Sequence, residues 1–414
     1  MGASNNDLTI IKGADERIRE YRTGSITLHL IDESGGTFKP GTIVHINQTQ
    51  HAFLFGCNIF KFNKGQNEKE NELYAQYFSD LFNFATLPFY WWGESENPLR
   101  RDKPWREDVI EWGINNQIKL KGHTLAWNWK DPNWLPNDPD KAYDLQMARI
   151  EKITNQYQDE ILVWDVVNEA TAYDREYPRN NAPILTEAIE NVGVNQYVID
   201  AFKAARLGSP NADFIINDFK TGRKFKNNVL DPLAKREFSL FDIIGIQSHM
   251  HNGYWGSKRI WELCNKFNEF GTPIHFTEIS IVSGQKSGKR WETYPEGENK
   301  QAEHVVELYT ILFSNPNVEA ITWWDFSDQG TWKGAPAGLI RKDMSPKPAY
   351  FELQNLIKDK WWTSDTAAID ENGSIKIHGF YGKYNIQILN EEKTMGGTFE
   401  IKKGHTSPIQ INLK

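Results

Sequence analysis

Ten polar or ionisable side chains sit at the ends of short apolar runs: His123, Asn168, Glu169, Asn217, Asp218, Gln247, His249, Glu278, Asp325 and Asp328. Two of them are carboxylates in strongly apolar surroundings. Glu169 ends ILVWDVVNE and Glu278 lies in PIHFTEIS. An ionisable group is costly in such a place unless it has partners or a purpose. Any one of the ten reads most simply as a strand-end cap or a solvated loop residue. Ten that converge on one rim do not. Paired carboxyl groups are what cleavage of a glycosidic bond requires: one donates a proton, and the other acts as nucleophile or as base. The donor needs a raised pKa, while its partner must stay ionised, helped by donors such as His249.

Other chemistries fit less well. The histidines and carboxylates show no HExxH-type spacing. HMH at 249–251 would turn two histidines the same way only if the strand continues through it. There is no GxSxG elbow. The two cysteines, Cys57 and Cys264, read as buried thiols without a disulfide or CxxC framework. No metal and no cofactor are expected. With 47 basic and 55 acidic residues the net charge is −8, which disfavours nucleic acid and anionic membranes as partners. No apolar run approaches the ~20 residues of a membrane span, and MGASNNDL lacks the apolar stretch of a leader peptide. The 16 Trp, 15 Tyr and 23 Phe suit sugar stacking, although core filling accounts for most of such rings.

These residues need a scaffold that brings strand ends together. Eight apolar or aromatic runs recur from residue 52: LFGCNIF, LFNFATLPFY, IKLKGHTLAW, ILVWDVVNE, DFIINDF, DIIGIQSHM, PIHFTEIS and AITWWDF. Amphipathic segments such as DKAYDLQMARIEKITNQY and NKQAEHVVELYTILFS separate them. Buried strands alternating with helices indicate a parallel sheet covered by helices, and eight units in about 300 residues fit a closed (β/α)8 TIM barrel. A doubly wound open sheet is the alternative, but no Gly-rich phosphate loop follows the first strand. In such a barrel the active site lies at the C-terminal strand ends, and the fourth and seventh strands, carrying Glu169 and Glu278, face each other across the mouth. Before the barrel, the helix-like ADERIREYR leads into SITLHLID and TIVHINQ, which alternate with period two around a Gly/Pro break and read as a hairpin. After KPAYFELQNLIKDKWW, residues 363–414 read as further short strands. Neither terminal piece can bury a face alone. The expected α/β architecture is therefore an N-terminal β segment over 1–50, a catalytic barrel over 51–360 and a C-terminal β segment over 361–414, with the two terminal pieces forming one accessory β-sandwich-like module.

The motifs GHTLAWNWKDPNWLP, WDVVNEA, INDF, IGIQSHMH, HFTEISI and ITWWDFSDQGTWKGAPAGLI with SPKPAY occur in an order and spacing that resembles glycoside hydrolase family 10, the endo-β-1,4-xylanase family. The resemblance covers about residues 50–355. It implies a retaining, endo-acting glycoside hydrolase with Glu169 as general acid/base and Glu278 as nucleophile. It also implies that Asn168 contacts the 2-hydroxyl of the sugar at the cleavage site, and that His123, Gln247, His249, Trp324 and Trp332 line that subsite, with Trp127 and Asn128 in the GHTLAWN segment beside it. Two departures stand out. Where family members carry an ENxxKW-type motif, this chain reads ATLPFYWWGESENP, so that Phe89, Tyr90, Trp91 and Trp92 replace polar sugar clamps with aromatic surface. Asn128 stands where a second histidine is usual. The expected partner is a polysaccharide or oligosaccharide bound by a monomer; the alternatives are the same chemistry on a different or decorated β-glycan, or a catalytically weak carbohydrate-binding protein. The expected location is secreted, periplasmic or cell-surface, with the leader outside this chain.

Overall fold

A computed structural model describes residues 5–94, 104–234, 239–288, 290–389, 394–405 and 407–414. Residues 95–98 of the aromatic stretch after the second barrel strand lie outside the described residues. Two strands come first, β1 (Thr23–Ile31) and β2 (Ile43–His51). The barrel follows as β3 (Leu54–Asn58), β4 (Phe84–Pro88), β5 (Lys119–Ala126), β6 (Val163–Asn168), β7 (Asp213–Asp218) and β8 (Ile243–Ile246). A two-residue extension, β9 (His249–Met250), precedes β10 (Ile274–Ile281). The hairpin β11 (Gly284–Ser287) and β12 (Arg290–Thr293) then leads to the last barrel strand, β13 (Val318–Trp323). The tail adds β14 (Ser364–Ala368), β15 (Ser374–Phe380), β16 (Gly382–Leu389), β17 (Thr394–Ile401) and β18 (Ile409–Asn412).

Each of the eight apolar runs supplies one barrel strand. Neighbours pair in parallel from β3 through β8 to β10 and β13, and β13 returns to β3, which closes the barrel. Strands such as β6 and β10 are buried along their whole length, as a parallel strand between core and helices must be. Helices cover the outside, and their starts are set locally. Asn67 accepts from Glu70 N ahead of the helix Glu68–Leu81, and Asp138 accepts from Lys141 N ahead of Pro139–Gln156. Phe84, Val163, Ile215, Ile243 and Ala320 meet at the N-terminal ends of their strands and plug the bottom of the barrel.

The terminal strands form two sheets, β15–β1–β18 and β14–β2–β16–β17. Their alternating inner residues, among them Leu28, Leu30, Ile46, Tyr384, Ile386 and Ile401, share one core separate from that of the barrel. Helix Ala14–Arg22 belongs elsewhere: it packs on the barrel helix Pro295–Ser314. Arg22 is buried there and donates to the Phe313 and Val318 carbonyls at 2.7 Å each. Helical residues between 5 and 22 thus pack on the barrel, and the β segment proper begins at Thr23.

Candidate active site

Strand β6 ends at Asn168. Glu169 follows with a left-handed backbone (φ 60°, ψ 37°), a conformation costly for a residue with a Cβ. It turns the chain sharply and leaves the carboxyl on the rim, where Glu169 N donates to the Asn217 carbonyl at 2.9 Å. Oε1 accepts from Gln247 Nε2 at 3.2 Å, and Oε2 pairs with the Arg175 guanidinium. Burial pushes the Glu169 pKa up to about 7 despite Arg175 and the Gln247 hydrogen bond, and the charges of Asp218 and Glu278 add to the rise.

Glu278 stands on β10 and is fully inside. Its Oε1 accepts from Asn217 Nδ2 at 2.8 Å, and its Oε2 lies 3.0 Å from His249 Nε2. Burial opposes its charge, but the hydrogen bond from His249 and the positive potential of His123 and His249 outweigh it, and the pKa falls below the ordinary glutamate value. The two carboxyls are joined through amides. Asn168 Oδ1 accepts from Asn217 Nδ2 at 2.9 Å and from Gln247 Nε2 at 3.1 Å. Those two amides in turn touch Glu278 and Glu169. Asn168 itself is buried and is not part of the cleft lining. Thr277 Oγ1 donates to Asn217 Oδ1 at 2.7 Å and fixes that amide's orientation. Gly245 leaves the room, since a Cβ there would come within 2.6 Å of Asn217 Oδ1.

Residues below and beside the rim hold these groups in place. His123 Nδ1 meets Asp165 Oδ2 at 2.7 Å, and the same oxygen is paired with the buried Lys121 ammonium at 2.9 Å. Asp218 accepts from Thr171 N and Oγ1 and from Lys220 N, so it braces the turn after Glu169. Asp328 pairs with buried Lys347 at 2.7 Å and is structural. Asp325 is a third buried carboxyl in the cleft. Burial raises its pKa to about 7, and the Trp332 N–H, at 3.1 and 3.2 Å from its two oxygens, binds it to the turn that carries Trp332.

The carboxyls open into a cleft of about 830 Å³ whose lining includes Tyr90, Trp92, His123, Trp127, Glu169, Gln247, His249, Glu278, Trp324 and Trp332. Tyr90 and Trp92 stack 4.6 Å apart at 11°, and Trp127 approaches Trp92 edge-on at 5.7 Å. Trp324 stands edge-on to His123 at 5.2 Å. Three expectations need correction. β4 ends at Pro88 and the chain turns in a short 3-10 helix at Trp91–Gly93, which leaves Phe89 and Trp91 pointing away from the cleft: Phe89 lies under the Arg106 guanidinium and Trp91 packs on Trp134 and Leu135. Asn128 is also outside the cleft; its Nδ2 donates to the Tyr173 carbonyl and Thr186 Oγ1, a tie between loops. The aromatic stretch is anchored by Glu94, which pairs with Arg106 at 3.1 Å and Arg149 at 2.7 Å, both buried. Sequence reasoning missed Arg175, Trp129, Trp255 and Trp291, which also line the cleft; they lie on loops after the strands, where no periodicity marks them.

Two other sites lack this chemistry. A cavity of about 650 Å³ between barrel and sheets is lined by Leu54, Lys119 and Glu319, at the N-terminal strand ends, far from the carboxyl pair. His249 and His251 do share a side, with rings 5.5 Å apart, because β9 continues the strand direction. No group of three or more His, Cys, Asp or Glu side chains with metal-holding geometry occurs among the described residues. No helix among them is long and apolar enough to cross a membrane.

The sequence profile of glycosyl hydrolase family 10 matches residues 52–356. The chain is similar to the anti-sigma-I factor RsgI6 of Acetivibrio thermocellus, with 25% identity over 393 residues, 91% of this chain and 46% of that protein. It is 27% identical over 270 residues to endo-1,4-beta-xylanase B of Thermotoga neapolitana, which covers 61% of this chain and 74% of the relative. The chain thus spans less than half of the first of these relatives and about three quarters of the second. Among solved structures, xylanase 10B of Thermotoga petrophila in complex with xylobiose superposes with a TM-score of 0.62 at 22% identity, over 75% of this chain and 95% of the other. At that identity the likeness concerns the fold.

Proposed function

The chain belongs to glycosyl hydrolase family 10, and on that premise we propose that it is a retaining, endo-acting hydrolase of xylan-type β-1,4-glycans. The observation that carries this reading is the opposite tuning of two buried carboxyls on one rim: Glu169 is raised to about 7 and Glu278 is lowered. Groups tuned apart in this way divide into a proton donor and an ionised nucleophile.

The reaction follows in two displacements. The Glu278 carboxylate attacks the anomeric carbon while Glu169 gives its proton to the departing glycosidic oxygen. The C–O bond to the leaving sugar breaks, and a glycosyl ester forms on Glu278. That ester carries no charge, so one of the influences that raised the Glu169 pKa disappears. Glu169 is then better placed to remain a carboxylate. It takes a proton from water, whose oxygen attacks the anomeric carbon and releases Glu278 as a carboxylate. Two inversions give net retention. Asn168, whose Oδ1 is held by Asn217 and Gln247, would give its side-chain amide to a sugar hydroxyl, the 2-hydroxyl in the family pattern. Trp324, Trp332, Trp127 and Gln247 would complete the subsite around the cleavage point.

Xylan as the polymer is supported by the likeness to an endo-1,4-beta-xylanase of the same family. The wall formed by Tyr90 and Trp92 in place of polar clamps supports a decorated chain over plain linear xylan, because a site poor in hydroxyl contacts discriminates less by unpaired polar groups. A second reading, a glycan-binding protein in a regulatory role, takes its support from the likeness over 91% of the chain to an anti-sigma-I factor. The two part on a single assay. NMR of products released from a panel of purified β-glycans should show the β-anomer first; initial α-anomer would exclude the retaining mechanism, and no release from any polymer would favour the binding role.

A further inference from the structure

One flank of the cleft carries a repeated pairing of tryptophan and cation that the hydrolytic steps leave unused. After β9, the guanidinium of Arg259, in the first turn of the helix Ser257–Asn268, lies 4.4 Å over the ring of Trp255 on the preceding loop. On the hairpin, Lys286 of β11 stands directly opposite Trp291 of β12, and cross-strand partners share a face. On the turn after β13, Lys333 lies 5.8 Å from the Trp332 ring. All six line the cleft. Among the described residues its lining carboxyl groups are Glu169, Glu278 and Asp325, and Asp325 is held by the Trp332 N–H rather than by any of these three cations. Among the described residues Arg259, Lys286 and Lys333 make no ion pair with a carboxylate, whereas Arg175 at the other side is matched to Glu169. His251 brings to the same flank a buried Nε2 with no hydrogen-bond partner.

In a chain of net charge −8, three unmatched cations converging on one concave wall create a local field that favours anions. Each has a ring beside it on which a pyranose face can stack. We propose that this flank is a subsite for an anionic substituent of the glycan, a uronic acid carboxylate or a sulfate ester; the proposal rests on the reading of the cleft as a β-glycan site. The neutral backbone would lie on the tryptophans, and the substituent would be taken by Arg259, Lys286 and Lys333 through charge-assisted hydrogen bonds.

The test compares glucuronate-bearing xylan with the same polymer after its carboxyls have been reduced to neutral hydroxymethyl groups, and with sulfated xylan. Affinity gel electrophoresis of the full chain measures binding without turnover. We expect the acidic polymers to bind about tenfold more tightly than the reduced one at low salt, with the difference collapsing near ~0.5 M salt as screening shortens the reach of exposed charges. The triple variant Arg259→Gln, Lys286→Gln, Lys333→Gln should bring the ratio to about one. Retardation by the glucuronate polymer identifies a carboxylate, and retardation by the sulfated polymer alone identifies a sulfate ester. Equal binding of all three polymers, or a preference that survives in the triple variant with its thermal unfolding unchanged, overturns the proposal. Absence of hydrolysis on every polymer would count against the hydrolase reading, while the binding ratio would still decide the anionic subsite.

Discussion

Asn217 donates its side-chain amide to Glu278 at 2.8 Å, and the same nitrogen lies 2.9 Å from Asn168 Oδ1. One amide therefore serves both the proposed nucleophile and the neighbour of the proposed acid/base. A hydrogen bond to a charged group contributes about 1.5–3 kcal/mol. Asn217→Ala should lower kcat/KM by roughly 10- to 100-fold and raise the Glu278 pKa, moving the acid limb of the pH profile upward. Steady-state kinetics across pH check this; a loss of rate with an unmoved acid limb would mean that Asn217 acts only on Asn168.

The tuning of the two carboxyls sets the pH dependence of the free enzyme. The proposed mechanism requires Glu278 ionised and Glu169 protonated. Because Glu278 is lowered, kcat/KM should reach its plateau below the ordinary glutamate range; because Glu169 is raised to about 7, it should fall again near neutrality. Arg175 holds the Glu169 pKa down. Arg175→Ala should therefore move the basic limb to higher pH. A downward movement, or none, would show that the limb belongs to another group.

Trp91 and Trp92 are neighbours in sequence with opposite expected roles. Trp91 is buried against Trp134, so Trp91→Ala should destabilise the fold by about 3–5 kcal/mol, read as a lowered Tm. Trp92 stacks on Tyr90 at the cleft, so Trp92→Ala should weaken binding of oligosaccharides several-fold with a Tm close to that of the parent. Equal effects of both substitutions on Tm and on binding would contradict the placement of Trp91 in the core and Trp92 at the cleft by the turn Trp91–Gly93.

Much of this was legible because the barrel strands are continuous apolar runs, and a polar residue ending such a run stands out. Glu169, Glu278, Asn168, Gln247 and His249 meet on the rim for that reason. Phe89, Trp91 and Asn128 were misread because a list of aromatic or polar residues does not tell which side of an extended chain each faces. The turn at Trp91–Gly93 and the Glu94–Arg106–Arg149 anchor settle that only in three dimensions. Arg175 sits on a loop, Arg259 in the first turn of a helix and Lys286 on the β11–β12 hairpin, all outside the apolar barrel-strand runs that mark the rim residues. The helix Ala14–Arg22 was legible as helix, but its docking depends on Arg22 finding three carbonyls at the end of a helix almost 300 residues away.

The assignment of the two glutamates is tested most directly by chemical rescue of Glu169→Ala. An aryl glycoside with an acidic phenol departs without a proton donor, so Glu278 should still be glycosylated in this variant. Hydrolysis should then stall for want of general-base help. Azide needs no deprotonation, and its addition should restore turnover. NMR of the product should show a β-glycosyl azide of retained configuration. Full activity of Glu169→Ala on polysaccharide, or an α-glycosyl azide from this variant, would contradict the account.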